Sequence, residues 1–201
     1  MTSEDNRIRD HDRPLSSRGR NEAAALARML QARGWIPDVV LASNAKRTKQ
    51  TLEEMTSVMT DLSDVDSHLY GSLYTVNALD GQTRQHIEEC LLEVCDDERH
   101  RCACIVGHNK GMEEAASSLA GCAVKLKTAS AALLQCAADS WKDVLGSHRS
   151  DLNRTSREED YGAAAIAGGI SSRSSKGGLG GHYGSGGGLM WTLVDVISPA
   201  A

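Results

Sequence analysis

Apolar residues recur along the first 145 positions with two alternating spacings. Spacings of three and four residues predict helices over 21–33, 46–59, 80–95 and 112–119. Short apolar runs between polar or glycine residues predict strands over 38–43, 69–73, 102–106 and 131–137. Ser16 or Ser17 is suited to cap the first helix, and Gly34 to end it. Alternating strands and helices predict an α/β fold, a three-layer αβα sandwich with a mostly parallel sheet.

The pattern changes after Gly146, where the chain becomes rich in Gly, Ser, Arg and Asp. Residues 146–188 carry too little apolar surface to offset the entropy lost on ordering. We predict a disordered insertion here, either specific to this chain or an intron read into the gene model. The apolar run at 190–197 predicts a final strand that returns to the sheet. The folded domain is therefore expected to comprise residues 1–145 and 189–201.

Composition and charge narrow the range of partners. The net charge is −5 and 24% of residues are charged, which gives no reason to expect nucleic-acid or membrane binding. The sequence has no apolar run of membrane-spanning length, and its polar N-terminus does not resemble a secretory signal. The six cysteines lack metal-site spacing and fit small buried hydrophobes in a reducing compartment. We expect an intracellular protein of the cytoplasm or an organelle, with no metal or organic cofactor, whose oligomeric state the sequence leaves open.

The segment around His108 carries the strongest chemical signal. An apolar strand ends in Gly107 and His108, and a helical pattern follows from near Met112. In open α/β sheets, ligands bind at the carboxyl ends of strands, and the next helix N-terminus offers unpaired N–H groups to an anion. A histidine at this position favours phosphoryl chemistry, although a histidine that is merely hydrogen-bonded in a loop would give the same pattern.

Two upstream segments supply cationic partners. Residues 10–20, DHDRPLSSRGR, precede an amphipathic helix, and residues 38–51 run from a strand into a helix with Arg47 in its first turn. A cation at a helix N-terminus is disfavoured by the helix dipole unless an anion lies nearby, which favours anion binding by Arg47. Arg13 fits the same role, but it would also fit a surface ion pair with Asp10 or Asp12.

Together with the sequence VGHN at 106–109, these segments resemble three ordered motifs of the histidine phosphatase (phosphoglycerate mutase-like) superfamily. The resemblance covers residues 7 to about 145 and the final strand, and it is closest to the plant and algal form of the small phosphohistidine-phosphatase-like branch. It implies that Arg13, Arg47 and His108 bind phosphate, with His108 in a catalytic role. It also implies a phosphorylated small molecule or phosphoprotein as partner, and a chloroplast location if a transit peptide lies upstream.

One departure from the family pattern bears on activity. The family nucleophile is the His of an Arg-His-Gly or Arg-His-Ala motif that ends the first strand, and no such motif precedes Arg13. The family Glu that follows a Leu-Tyr pair is replaced by Thr75, which favours phosphohistidine or another labile phosphate as substrate. We therefore predict a histidine-type phosphohydrolase that lacks its first strand and is inactive as this chain. The alternatives are a non-catalytic module that binds phosphate or a phosphoprotein, and a product that does not fold stably.

Overall fold

The computed structural model describes residues 9–75, 83–96, 99–145, 163–171 and 191–199. The helices in these ranges are α1 (Ser17–Ala32), α2 (Lys46–Val58), α3 (Ser72–Thr75), α4 (Thr83–Val94), α5 (Asn109–Ala120) and α6 (Trp141–Leu145). The strands are β1 (Val39–Ser43), β2 (Asp66–Tyr70), β3 (Cys102–His108), β4 (Ala131–Ala137), β5 (Ala163–Ser171) and β6 (Thr192–Ile197). Two 3-10 turns, Asp10–Asp12 and Thr60–Asp64, precede α1 and β2.

All of these strands join one six-stranded sheet in the order β2-β1-β3-β5-β4-β6. Strand β1 is parallel to both β2 and β3, whereas β5 is antiparallel to β3 and parallel to β4. Strand β6 closes the far edge, antiparallel to β4. The predicted α/β class is confirmed, and the carboxyl ends of β1, β2 and β3 lie at the same edge of the sheet.

The sheet separates two apolar cores. Helices α1 and α2 cover one face, and α4, α5 and α6 cover the other. Successive residues of β1 show the alternation, because Val40 and Ala42 belong to the first core whereas Val39 and Leu41 belong to the second. All five residues of β1 are consequently buried, as expected for a central parallel strand. These helices and the sheet form the predicted three-layer sandwich.

Local signals in the sequence set the limits of α1. The Ser16 hydroxyl accepts a hydrogen bond from the Gly19 backbone N–H at 3.0 Å, which confirms the predicted cap. The helix therefore begins four residues before the apolar pattern does. Beyond its end, Gly34 adopts a φ of +73°, a conformation that glycine reaches without a steric cost. Within the described residues, no helix is both long and apolar enough to cross a bilayer.

Strand β5 contradicts part of the sequence prediction. Residues 163–171 were assigned to a disordered insertion, but the structure places them between β3 and β4. Their sequence, AAAIAGGIS, has few large apolar side chains, so its composition concealed a segment that pairs along both edges. The other parts of the predicted insertion, 146–162 and 172–188, lie outside the described residues. For those two parts the predicted insertion, and with it the division from a domain of 1–145 plus 189–201, stays a prediction.

Candidate phosphate-binding site

The carboxyl ends of the three parallel strands bring polar side chains to one place. The loop and helix α2 follow β1, the short helix α3 follows β2, and β3 ends in a histidine. The 3-10 turn before α1 reaches the same edge through hydrogen bonds. The polar residues linked there are Asp10, His11, Arg13, Ser43, Asn44, Arg47, Tyr74 and His108.

Arg47 lies at the centre of this cluster and is only 9% exposed. Its Nη1 donates to the backbone carbonyl of Asp10 at 2.8 Å, and its Nη2 donates to the Asp10 carboxylate at 3.0 Å. Nη2 also lies 3.1 Å from Nδ1 of His108. The buried Nε of Arg47 has no acceptor among the described residues. A buried guanidinium with an unused N–H group is unusual, because such donors are nearly always paired.

The Asp10 carboxylate draws further donors into the cluster. The Tyr74 hydroxyl donates to Oδ2 of Asp10 at 3.0 Å, and Nη1 of Arg13 lies 3.5 Å from Oδ1. Partial burial alone would raise the pKa of Asp10, but the Tyr74 hydrogen bond and the charge of Arg47 outweigh it and lower this pKa overall. The carboxylate is therefore ionised at neutral pH. The Tyr74 ring lies edge-to-face between the rings of His11 and His108, at 5.1 and 5.2 Å.

His108 is almost completely buried, with an exposed fraction of 1%. A guanidinium has no lone pair, so Nδ1 of His108 must accept the hydrogen bond from Arg47. Nε2 then carries the proton and donates to the Ser43 hydroxyl, 3.1 Å away. Burial, and next the positive charge of Arg47, lower the pKa of His108 to about 4. The imidazole is thus neutral at physiological pH.

His11 has the opposite electrostatic environment. Its Nε2 lies 2.8 Å from Oδ1 of Asn44, and its Nδ1 lies 3.2 Å from the Asp12 carboxylate. Both ring nitrogens face acceptors, an arrangement that suits the doubly protonated ring. The hydrogen bonds to Asn44 and Asp12 accordingly raise the pKa of His11. Two histidines of one cluster therefore have pKa values shifted in opposite directions.

The three predicted site residues differ in their burial and in their contacts. Arg47 and His108 are buried and in direct contact, as a shared site requires. Among the described residues, Arg13 reaches the cluster through Asp10, and its side chain is 68% exposed. Its role in phosphate binding stays a prediction. Sequence reasoning missed Asp10 and Tyr74 as members of the site. Their signals were present, because Asp10 stands three residues before Arg13 and Tyr74 belongs to the Leu-Tyr pair.

The surroundings of Arg47 suit an anion better than a cation. Helices α2 and α5 both begin at this edge, and neither N-terminus has a side-chain cap. A helix N-terminus carries a partial positive charge, which attracts oxyanions. Among the described residues, no group of three or more His, Cys, Asp and Glu side chains could hold a metal ion.

One comparison with known proteins agrees with this chemistry. A family model for the histidine phosphatase superfamily (branch 1) matches residues 2–101, a range that includes Arg13 and Arg47 but not His108. An uncharacterised chloroplastic protein of Arabidopsis thaliana is 42% identical over 137 residues. The aligned region covers 68% of this chain and 62% of that relative, so the chain spans less than two thirds of the relative's length.

Two solved structures are similar to part of the chain. The candidate phosphohistidine phosphatase SixA from Agrobacterium tumefaciens is 26% identical with a TM-score of 0.44, over 56% of this chain and 65% of that one. The candidate SixA from Nakamurella multipartitia is 29% identical with a TM-score of 0.43, over 56% of this chain and 58% of that one. The family-model match over residues 2–101 places the chain in the histidine phosphatase superfamily.

Proposed function

We propose that the Arg47 cluster binds the phosphoryl group of a phosphohistidine or a small phosphomonoester, as the phosphate site of a histidine-type phosphohydrolase. One observation carries this proposal. Arg47 is buried, already holds a carboxylate on Nη2, and keeps an unused Nε–H beside two uncapped helix N-termini. A guanidinium binds two oxygens of a tetrahedral oxyanion with its planar fork and retains its charge at any physiological pH.

Each residue of the site has a distinct role in this proposal. Arg47 binds two phosphate oxygens, and Arg13 adds positive charge from the exposed side. The N–H groups at the starts of α2 and α5 contribute further donors. His108 holds Nη2 of Arg47 in place when neutral. A bound phosphate dianion would raise the pKa of His108, since a nearby negative charge favours the protonated ring. Protonated His108 would then stabilise the charge that develops on the phosphoryl oxygens, which is the catalytic role expected for it.

Turnover through a phosphohistidine intermediate needs a neutral, accessible histidine as nucleophile. The 201 residues contain no Arg-His-Gly or Arg-His-Ala. Hydrogen bonds to Asn44 and Asp12 raise the pKa of His11 and so favour its protonated form, which has no lone pair to attack phosphorus. Both nitrogens of buried His108 already have partners. These observations favour a second candidate function for this chain, the binding of a phosphate or phosphoprotein without hydrolysis.

Thr75 bears on the substrate class, and the Arabidopsis relative on the compartment. Thr75 stands where many family members carry a catalytic Glu, and a phosphoramidate needs less help from an acid than a phosphate ester does. We therefore propose phosphohistidine ahead of sugar phosphates. The chloroplastic Arabidopsis relative supports a chloroplast location, which a fluorescent fusion of the complete gene product would test.

Calorimetric titration of the 201-residue chain with inorganic phosphate tests the binding proposal. Arg47→Ala should weaken phosphate binding by about 10-fold to 100-fold, because hydrogen bonds to a charged group contribute roughly 1.5–3 kcal/mol. Arg20→Ala is a matched control, since Arg20 forms its ion pair with Glu54 and has no contact with the cluster. Equal affinity in wild type and Arg47→Ala would refute the phosphate site.

A separate assay decides between hydrolysis and binding alone. We expect no release of phosphate from para-nitrophenyl phosphate or from a phosphohistidine peptide by this chain. Turnover that disappears in His108→Ala would show that this chain hydrolyses the substrate with the help of His108, and would exclude the binding-only function. Because His108 is buried, the variant must first give a cooperative unfolding transition, so that lost turnover reports on the site.

A further inference from the structure

The Asp10 carboxylate occupies the position at which an anion would meet Arg47. It lies 3.0 Å from Nη2 of Arg47 and 3.0 Å from the Tyr74 hydroxyl, with Arg13 at 3.5 Å. A carboxylate and a phosphoryl group present similar oxygens to such donors. The partners of this carboxylate therefore identify the donors that a bound phosphate would find, and Tyr74 is among them.

Asp10 can leave this position without disturbing the core. The turn Asp10–Asp12 contains no buried residue, and the Asp10 side chain is 47% exposed. Its backbone carbonyl accepts from Nη1 of Arg47 at 2.8 Å, independently of the carboxylate. Rotation of the Asp10 side chain would thus free an N–H group of Nη2 while Nη1 stays anchored to the backbone.

Building on the phosphate site proposed above, we infer that Tyr74 is a further phosphate-binding residue and that Asp10 is the internal anion that phosphate displaces. The Tyr74 hydroxyl donates to Asp10 in the free protein and transfers this hydrogen bond to a phosphate oxygen in the complex. Asp10 must withdraw because a carboxylate and a phosphate dianion repel each other at this distance.

The ring of Tyr74 is placed to make this exchange. It contacts the faces or edges of His11 and His108 and lies 5.8 Å from the guanidinium carbon of Arg47. These contacts fix the ring between buried and half-exposed neighbours, so the hydroxyl stays in position when its acceptor changes. Burial, and next the hydrogen bond to Asp10, raise the pKa of Tyr74, so the hydroxyl keeps its proton and acts as a donor.

Five variants of the full chain, titrated with inorganic phosphate by calorimetry, test the inference. Asp10→Asn removes the competing charge and should bind phosphate about tenfold tighter than wild type. Asp12→Asn removes the same charge from the same turn. Among the described residues, the Asp12 carboxylate pairs with Arg9 and His11 and not with Arg47, so the affinity of this variant should stay within about twofold of wild type. Asp10→Ala is the second variant at this position, should Asp10→Asn fold poorly.

The effect of Tyr74→Phe on phosphate affinity should depend on whether Asp10 is present. Tyr74→Phe alone removes a donor from both Asp10 and phosphate, so the two losses offset each other and the affinity should change by less than about threefold. In the Asp10→Asn background the Tyr74 hydroxyl no longer donates to a carboxylate in the free protein. Tyr74→Phe should therefore weaken phosphate binding by about tenfold relative to Asp10→Asn alone.

Two results would overturn the inference while leaving the phosphate site intact. If Asp10→Asn and Asp10→Ala bind phosphate no tighter than wild type, Asp10 positions Arg47 instead of competing with the ligand. If Tyr74→Phe has no effect in the Asp10→Asn background, Tyr74 does not touch phosphate. The failure of the proposed function has a different signature, since then neither wild type nor any variant shows phosphate binding that depends on Arg47.

Discussion

Protonation of His108 should weaken the folded state in a defined pH window. The pKa of this histidine falls from an ordinary 6.5 to about 4 on folding, because the ring is buried and faces Arg47. Between these two values the unfolded chain binds a proton that the folded protein excludes, so stability is present above pH 6.5 and is lost as the pH falls. From this shift, the loss at pH 5 relative to pH 7.5 is about 2 kcal/mol.

Urea unfolding followed by circular dichroism measures this loss at both pH values. His108→Gln keeps an acceptor for Arg47 and a donor for Ser43 but cannot be protonated, so wild type should lose about 2 kcal/mol more than this variant. The difference between the two losses cancels the contribution of carboxylate titration, because both proteins carry the same carboxylates. His68→Gln removes a histidine of the sheet edge outside the cluster and should keep the wild-type dependence. An equal loss in wild type and His108→Gln would refute the burial argument.

Three further outcomes test other parts of the structure. A Cβ on Gly107 would lie 2.7 Å from the buried end of Met112, so Gly107→Ala should lower the free energy of unfolding by about 1–3 kcal/mol. The same substitution should cost less when it is measured in a Met112→Ala background. Replacing residues 163–171 by a Gly-Ser linker should abolish the cooperative unfolding transition, because β3 and β4 lose the strand that pairs with both. Unchanged stability would show that residues 163–171 do not pair with these strands. Phosphate binding at pH 6 should take up a proton at His108, seen as a binding enthalpy that depends on the buffer and loses this dependence in His108→Gln.

The sequence predicted those elements whose own residues favour one conformation. Strand β4 was placed at its observed limits, and α2 within one residue, because apolar spacing and turn residues agree there. Strand β5 was not predicted because glycine and alanine give no periodic apolar pattern, and its position depends on pairing with β3 and β4. Intrinsic preference is a weak guide for a strand that is defined by its neighbours.

The site was predicted as two arginines and a histidine, and the structure adds the groups that contact them. Arg47 and His108 could be identified from their positions after two apolar strands. Their direct contact could not, because it depends on the register of β1 with β3. Asp10 went unnoticed as a partner of Arg47 because 37 residues separate the two in the chain. Charge complementarity over such a separation becomes visible only when the fold is known.

Three unfavourable features coincide at the centre of this cluster. Arg47 places a positive charge in the first turn of α2, against the helix dipole, and leaves a buried N–H group without a partner. His108 is kept neutral at the expense of stability in mild acid. Proteins tolerate such local conflicts mainly at functional sites.

A single dianion on Nε and Nη2 of Arg47 would relieve all three conflicts, because it neutralises the helix-start charge, satisfies the free donor and favours the protonated imidazole. No monovalent side chain of the cluster does this, since the Asp10 carboxylate already contacts Arg47 and leaves Nε unpaired. The cluster is therefore better matched to a phosphate than to the carboxylate that now occupies it.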